Sequence, residues 1–184
     1  MKFKSSFILL FIVLVFIGCE KKEKEKTAVE PSEPVLMQNL DAPITLNLMN
    51  GNVLSIKKKD DGLEIDNGGK ATLFVFFATW CPPCLVEIEP LNNLYEIYKD
   101  SIDIVGVLIQ DEKSKEDMEF FIENFDIKYS VSLGSSNETL VNIIGGIDGI
   151  PYMVLYDGDG KQKKRYIGVI AQEMLDVDIK KTIK

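Results

Sequence analysis

Histidine is absent from the 184 residues of this chain. A Ser-His-Asp triad, a Cys-His nucleophile pair and every metal site built on imidazole are therefore excluded. Cysteine is nearly as scarce, with only Cys19, Cys81 and Cys84. Three cysteines cannot complete a four-ligand zinc site of the Cys and His type, so we predict no bound metal and no separate cofactor.

Positive charge is also in short supply. The chain has 21 Lys and Arg against 29 Asp and Glu, and its formal net charge is -8. Such a chain cannot neutralise nucleic-acid phosphates over a broad face, so we expect no nucleic-acid partner. With 46% hydrophobic and 27% charged residues, the composition is typical of one globular domain.

A long hydrophobic run is missing as well. The apolar stretch at residues 7–17 is too short for a membrane-spanning helix, which needs roughly 20 residues. It follows Lys2 and Lys4, as in an export signal, and ends in FIGC at residues 16–19. This resembles the lipobox of bacterial lipoproteins, which implies cleavage before Cys19 and a lipid on its sulfur. The alternatives are an ordinary signal peptide or an uncleaved anchor.

These features predict three segments along the chain. Residues 1–18 are the signal peptide, residues 19–42 are a lipid-anchored charged linker, and residues 43–184 are the folded domain. The linker alternates Glu and Lys without an apolar period, which is typical of a solvated tether. As a coil it would span about 25 Å, which is enough to lift a small domain clear of lipid headgroups.

Within the domain, apolar runs and turn signals alternate. Strands are expected at residues 44–48, 53–56, 71–77, 102–109, 128–133, 151–156 and 165–169, with a hairpin at Asn50-Gly51 and a turn at residues 157–160. Helices are expected at residues 81–98, 115–125, 137–144 and 171–183. The segment between the second and third strands is expected to be a polar loop. Strands that alternate with helices predict an α/β fold with a central mixed sheet flanked by helices.

The stretch FFATWCPPC at residues 76–84 combines a strand end, a short loop and a helix start around two cysteines. A helix N-terminus favours a thiolate, which is the nucleophilic form of cysteine. We expect Cys81 to be the exposed attacking thiol and Cys84, one turn on, to be the covered resolving thiol. A structural disulfide is the alternative, but closing so short a loop stabilises little. Trp80 is expected to shield the pair and contact a partner, or else to pack in the core.

The helix after the pair carries an acid on its apolar side. Glu87 falls on the stripe of Cys84, Ile88 and Leu91, whereas Glu89 falls among polar residues. Burial would raise the pKa of Glu87 and let it take the proton from Cys84. The alternative is a carboxylate that bends back to solvent.

WCPPC after FVFFAT, together with Gly149-Ile150-Pro151, resembles the thioredoxin superfamily. The resemblance implies a thioredoxin-like fold over roughly residues 43–182, with a cis peptide before Pro151 facing the disulfide. It also implies that the Ile150 backbone and Pro151 bind the substrate segment, as in β-strand addition.

Within the superfamily, the chain is most similar to TlpA/ResA-like membrane-anchored thiol-disulfide oxidoreductases. Glu87 stands where that branch has its acid, and Val75 replaces a buried Asp of ordinary thioredoxins. The N-terminal hairpin and the segment at residues 110–137 resemble the additions of the branch, an inserted helix and strand. Pro90 and Tyr152 depart from the family pattern near the expected substrate groove.

The resemblance implies an exported, lipid-anchored reductase of protein disulfides on the extracytoplasmic (periplasmic) side of a bacterial membrane. Apocytochrome c is one implied substrate, and a membrane electron donor of the thiol-reductase type is the implied reductant. A disulfide isomerase or oxidant is the enzymatic alternative. A tethered module that binds peptides as a chaperone is the alternative of another class.

Overall fold

The computed structural model describes residues 42–183. The predicted signal peptide at residues 1–18, the lipidation site Cys19 and nearly all of the linker lie outside the described residues and stay predictions. Within residues 42–183, no helix has the length and apolar character that a bilayer crossing requires.

Eight strands form one mixed sheet in the order β3-β2-β1-β6-β5-β4-β7-β8. Their bounds are β1 Ile44–Leu48, β2 Val53–Lys59, β3 Gly62–Ile65, β4 Ala71–Phe77, β5 Ile102–Leu108, β6 Ser130–Leu133, β7 Tyr152–Tyr156 and β8 Gln162–Ile167. The helices are α1 Pro82–Val86, α2 Ile88–Tyr98, α3 Lys115–Asn124, α4 Ser136–Ile143 and α5 Gln172–Thr182. The α/β fold with a mixed sheet is confirmed, as are the N-terminal hairpin and the inserted helix and strand, α3 and β6.

The centre of the sheet is β4, which is parallel to β5 and antiparallel to β7. Every residue of β4 is buried, because α2 and α5 cover one face of the sheet and α4 covers the other. Val75 is 3% exposed and pairs with Gly106 and Met153, so the apolar residue predicted behind the cysteines is in place. The strand ends at Phe77, and the loop that leads to the cysteines follows directly.

Two apolar clusters lie on opposite faces of the sheet. The first packs α2 and α5 against the sheet and includes both cysteines, Phe77, Leu91 and Leu175. The second packs α4 against the other face of the sheet and includes Leu46, Ile56, Phe74, Phe76 and Leu140.

The structure corrects the expected place of Tyr152. This side chain was expected beside the substrate groove, but it is 3% exposed and belongs to the second cluster, away from the cysteines. Tyr152 lies opposite Phe76 in the ladder, and the two rings meet edge to face at 6.3 Å. Residues directly opposed in a ladder point to the same face, so pairing with Phe76 decides which face Tyr152 enters.

The expected polar loop after β2 contains β3, which sequence reasoning missed. β3 pairs with β2, and the Leu63 N–H donates to the Gly160 carbonyl at 2.9 Å in the β7–β8 turn. An isolated bridge joins Gly62 to Lys161, so the two edge strands of the sheet meet at this point. Two short polar segments form this contact because each supplies backbone partners to the other, which no local pattern reveals.

The helix expected over residues 81–98 is divided at Glu87 into α1 and α2. Pro90 causes the interruption, because its ring removes the N–H that would bond to the carbonyl of Val86 and crowds that turn. The break therefore places Glu87 at a junction between two helices, where its side chain turns toward the sheet.

Candidate active site

Cys81 and Cys84 form a disulfide at the start of α1, with their Cα atoms 5.3 Å apart. Cys81 has extended backbone angles and is the N-cap of the helix, and Pro82 and Pro83 follow as its first two residues. Proline suits these positions because the N–H that it lacks would have no partner inside the helix. The strand-loop-helix arrangement predicted from the sequence is confirmed.

The two prolines leave one backbone donor to face the first sulfur. The Cys84 N–H is shared between the Sγ of Cys81, at 3.3 Å, and the Cys81 carbonyl, at 3.0 Å. Because Pro82 and Pro83 have no N–H, this is the first N–H of the helix, and it carries the positive end of the helix dipole to Cys81. In the reduced protein this donor favours a thiolate on Cys81, which suits it to be the attacking thiol.

The expected difference in exposure between the cysteines is wrong for the disulfide form. Cys81 is 3% exposed and Cys84 is 4% exposed. The bond to Cys84 and the N–H contact turn the first sulfur toward the helix rather than to solvent. Trp80, by contrast, is 58% exposed, which excludes the alternative of core packing. Its expected shielding of the pair and contact with a partner stay predictions.

Glu87 is buried as the helical stripe predicted, with 1% of its surface exposed. Its Oε1 accepts a hydrogen bond from the Ile170 N–H at 2.5 Å, and its Oε2 is buried without a hydrogen-bond partner among residues 42–183. Burial raises the pKa of Glu87, and the Ile170 bond opposes that rise. The carboxyl group is thus suited to hold or accept a proton close to Cys84.

A loop from far along the chain packs Ile150 against the apolar cluster that contains both cysteines. The Ile150–Pro151 peptide is cis, as the resemblance implied, and the Pro151 carbonyl accepts from the Gly168 N–H at 2.8 Å. Within the described part of the chain, the backbone N–H and carbonyl of Ile150 have no hydrogen-bond partner. A backbone edge is therefore free to bind an extended peptide.

Sequence reasoning missed Asp111 with its partner Thr79, Tyr129, and Ile170 as residues of the site. Asp111 accepts two hydrogen bonds from Thr79, two positions before Cys81. Tyr129 is buried, and its burial together with the charge of Glu87 raises its pKa, so the phenol stays protonated. The sequence did carry a signal for Asp111, because this residue follows a strand parallel to β4 and the carboxyl ends of parallel strands meet at one edge of a sheet. No feature of the sequence pointed to the contact of Glu87 with Ile170, which is 83 residues away.

Replacing Glu87 with Gln should change how stability depends on pH. Since burial raises its pKa above the ordinary 4.5, the stability contributed by the protonated group is present below that value. It is lost as pH rises through the higher folded-state pKa. We therefore expect Glu87→Gln to gain stability relative to the wild type as pH rises from 4 to 8, measured by urea unfolding of the oxidised proteins.

The matched control for this measurement is Glu89→Gln, which removes the same charge from an exposed position two residues away. Its unfolding free energy should follow the wild type at a constant offset. If the unfolding free energy of Glu87→Gln runs parallel to that of the wild type from pH 4 to 8, the buried carboxyl ionises without a loss of stability.

Comparison with known proteins gives a consistent result. A family model described as Redoxin matches residues 60–181. Thiol-disulfide oxidoreductase ResA of Geobacillus thermodenitrificans is 31% identical over 109 residues, covering 59% of this chain and 60% of that protein. Sporulation thiol-disulfide oxidoreductase A of Bacillus subtilis is 29% identical over 117 residues, covering 62% and 70%. The match to ResA thus spans less than two thirds of its length.

Solved structures agree in fold. StoA from Bacillus subtilis superposes with a TM-score of 0.60 at 26% identity, covering 75% of this chain and 96% of that one. A putative thiol:disulfide interchange protein DsbE from Chlorobium tepidum gives 0.62 at 20% identity, covering 78% and 95%, and shows the fold alone. The fold is thioredoxin-like.

Proposed function

Because the chain belongs to the Redoxin family, in the TlpA/ResA-like part of the thioredoxin superfamily, we propose that it is a thiol-disulfide oxidoreductase. The observation that carries the proposal is the Cys81–Cys84 pair, bonded at a helix N-terminus with the first helical N–H aimed at Cys81. A structural disulfide needs neither this donor nor a buried acid nearby.

The chemistry is two successive thiol-disulfide exchanges. In the reduced protein the Cys81 thiolate attacks one sulfur of a partner disulfide, forms a mixed disulfide and releases the other partner sulfur as a thiolate. Cys84 then loses its proton and attacks Cys81, which forms the Cys81–Cys84 bond and releases the second partner thiol. Two electrons pass from the protein dithiol to the partner, and no other cofactor takes part.

Glu87 serves the second exchange in this proposal. Cys84 is buried, and its thiol must lose a proton before it attacks. Glu87 follows it by one helical turn, and its buried Oε2 has no hydrogen-bond partner in the described part of the chain. A carboxyl group whose pKa is raised toward neutrality is an effective proton acceptor for such a step. Glu87→Gln should consequently slow the release of mixed disulfides.

The partner segment lies along the loop opposite the disulfide in this proposal. The backbone groups of Ile150, which have no partner among the described residues, bind it as an added strand, and Pro151 contacts the segment next to its cysteine. Trp80, which directly precedes Cys81, supplies exposed aromatic surface.

We further propose that the protein works as a reductase of protein disulfides, with apocytochrome c cysteines as one substrate. A membrane donor of the thiol-reductase type would return it to the dithiol form. Whether the protein reduces or oxidises its partners depends on the reduction potential of the Cys81–Cys84 pair, because ~30 mV is already worth ~1.4 kcal/mol for a two-electron couple. A measured potential above about -200 mV, the range of glutaredoxins and stronger oxidants, would favour the oxidant or isomerase alternative.

Cys84→Ser should trap the partner. With the resolving sulfur gone, mixed disulfides on Cys81 cannot be released and should accumulate in cells. Mass spectrometry of the trapped adducts names the substrate, and Cys81→Ser/Cys84→Ser is the matched control that forms none. Equal adduct levels in both variants would contradict Cys81 as the attacking thiol.

The lipid anchor on Cys19 and an extracytoplasmic location are proposals from the sequence. They are supported by the FIGC stretch and the charged linker that follows. The mass of the N-terminal peptide from membranes tests them directly. A diacylated Cys19 supports the anchor, and an unmodified Met1 contradicts both cleavage and lipidation.

A further inference from the structure

The two residues that precede Cys81 are tied to the loop that follows β5. The Thr79 N–H and the Thr79 hydroxyl both donate to the Oδ2 of Asp111, at 2.7 Å and 2.6 Å. The second carboxylate oxygen lies 3.6 Å from the Nζ of Lys113. Both oxygens of Asp111 thus have partners, and two of the three interactions bind Thr79, two positions before the catalytic cysteine.

Trp80 is held by the neighbouring residue of the same loop. Its indole N–H donates to the carbonyl of Gln110 at 3.3 Å. The Gln110 N–H in turn donates to the Oε1 of Glu138 in α4 at 3.1 Å. Consecutive residues before Cys81 are therefore bonded to consecutive residues after β5.

The Asp111 carboxylate is well placed for strong interactions. Its side chain is 6% exposed, so water competes little for its oxygens. Hydrogen bonds to an ionised acceptor are stronger than neutral ones, and a low local dielectric strengthens them further. Losing this group would leave the Thr79 N–H without its acceptor, at a cost in local order.

We propose that Asp111 is a positioning residue for disulfide exchange. By holding Thr79 it sets where α1 begins, and with it the place of the Cys81 sulfur and of the Trp80 ring. Asp111 contacts neither cysteine, so its action passes through Thr79 and the loop. The proposal rests on the exchange chemistry proposed above.

The charge of Asp111 has a second effect. The Cα atoms of Thr79 and Cys81 are at most about 7.6 Å apart, so the carboxylate lies near the cysteine loop. A negative charge there disfavours a thiolate on Cys81 and therefore favours the disulfide form. Removing that charge should shift the thiol-disulfide equilibrium with glutathione about two- to tenfold toward the dithiol protein.

Asp111→Asn and Asp111→Leu separate the two effects in the full-length protein. Asn keeps an acceptor for the Thr79 N–H, so the fluorescence anisotropy of Trp80, the only tryptophan, should match the wild type. Its glutathione equilibrium should shift toward the dithiol. Leu removes acceptor and charge together, so anisotropy should fall, the equilibrium should shift, and exchange with insulin should slow.

The matched controls are the same substitutions at Asp103, at the other end of β5. Asp103 accepts from the Asn67 amide at 3.1 Å and pairs with Lys70 at 3.5 Å, much as Asp111 pairs with Lys113. Asp103→Asn and Asp103→Leu should lower the melting temperature without moving the glutathione equilibrium or Trp80 anisotropy.

Two results would overturn the proposal. One is an Asp111→Leu protein that loses stability like Asp103→Leu but keeps the wild-type equilibrium, anisotropy and exchange rate. The second result comes from Thr79→Val and Thr79→Ser, which decide if Asp111→Leu fails to fold, since only Ser keeps the hydroxyl bond. Equal Trp80 anisotropy and equal exchange rates in these two proteins would overturn the proposal. Absence of insulin reduction by the wild type would contradict the proposed function. The glutathione equilibrium and the Trp80 anisotropy would still test the role of Asp111.

Discussion

Cys81→Ser should reduce the insulin-reducing activity of this protein to the uncatalysed background. The attacking group must be a thiolate at neutral pH, and a serine hydroxyl is not ionised there. The N–H of Cys84 that faces the first sulfur has no thiolate left to stabilise. The expected loss is therefore complete and larger than that of any other substitution in the site.

The control for fold is the melting temperature of the reduced proteins. Both cysteines are buried, and replacing sulfur with oxygen is a small change in volume, so Cys81→Ser should stay folded. The loop closed by the disulfide is too short for its loss to matter much to stability. Wild-type insulin reduction by Cys81→Ser would contradict the oxidoreductase proposal. Client binding unaffected by Cys81→Ala, without any activity in the wild type, would favour the chaperone alternative.

Gly160→Ala should be among the most destabilising single substitutions in the chain. Gly160 has φ 78°, and an added Cβ would overlap the backbone carbonyl of Leu63. That carbonyl belongs to β3, where the two sheet edges meet, so the overlap cannot be relieved by a side-chain rotation. We expect a loss of about 3–5 kcal/mol in the free energy of unfolding, from backbone strain and the steric overlap together.

Gly145→Ala separates the two causes. Gly145 has φ 88°, but a Cβ there meets no atom of residues 42–183 within 4 Å. Its loss should reflect backbone strain alone, about 1–2 kcal/mol. Chemical denaturation of the oxidised proteins gives both values. Equal losses at the two positions would show that β3 moves away from the β7–β8 turn without cost, and that the edge contact contributes little.

The local parts of the site could be predicted because their signals lie within a few residues of one another. The apolar run of β4, the Cys-Pro-Pro-Cys spacing and the helical position of Glu87 each follow from the periodicity of one element. The buried state of Glu87 is confirmed for this reason. The same reasoning failed for Cys81, whose exposure depends on the disulfide and on the N–H that faces it rather than on its position at a helix start.

By itself the sequence determined the order of the strands other than β3 and of the helices apart from the break at Glu87, the absence of a histidine-based site, and the cysteine pair with its acid one turn away. Only the tertiary structure decided that Ile170 donates to Glu87, that Asp111 holds Thr79, and that the sheet edges meet at Gly160. The physical reason is that periodicity shows which face of an element is apolar, but not what covers it. A buried polar group finds its partner wherever the fold brings one, and here each partner lies on a distant segment.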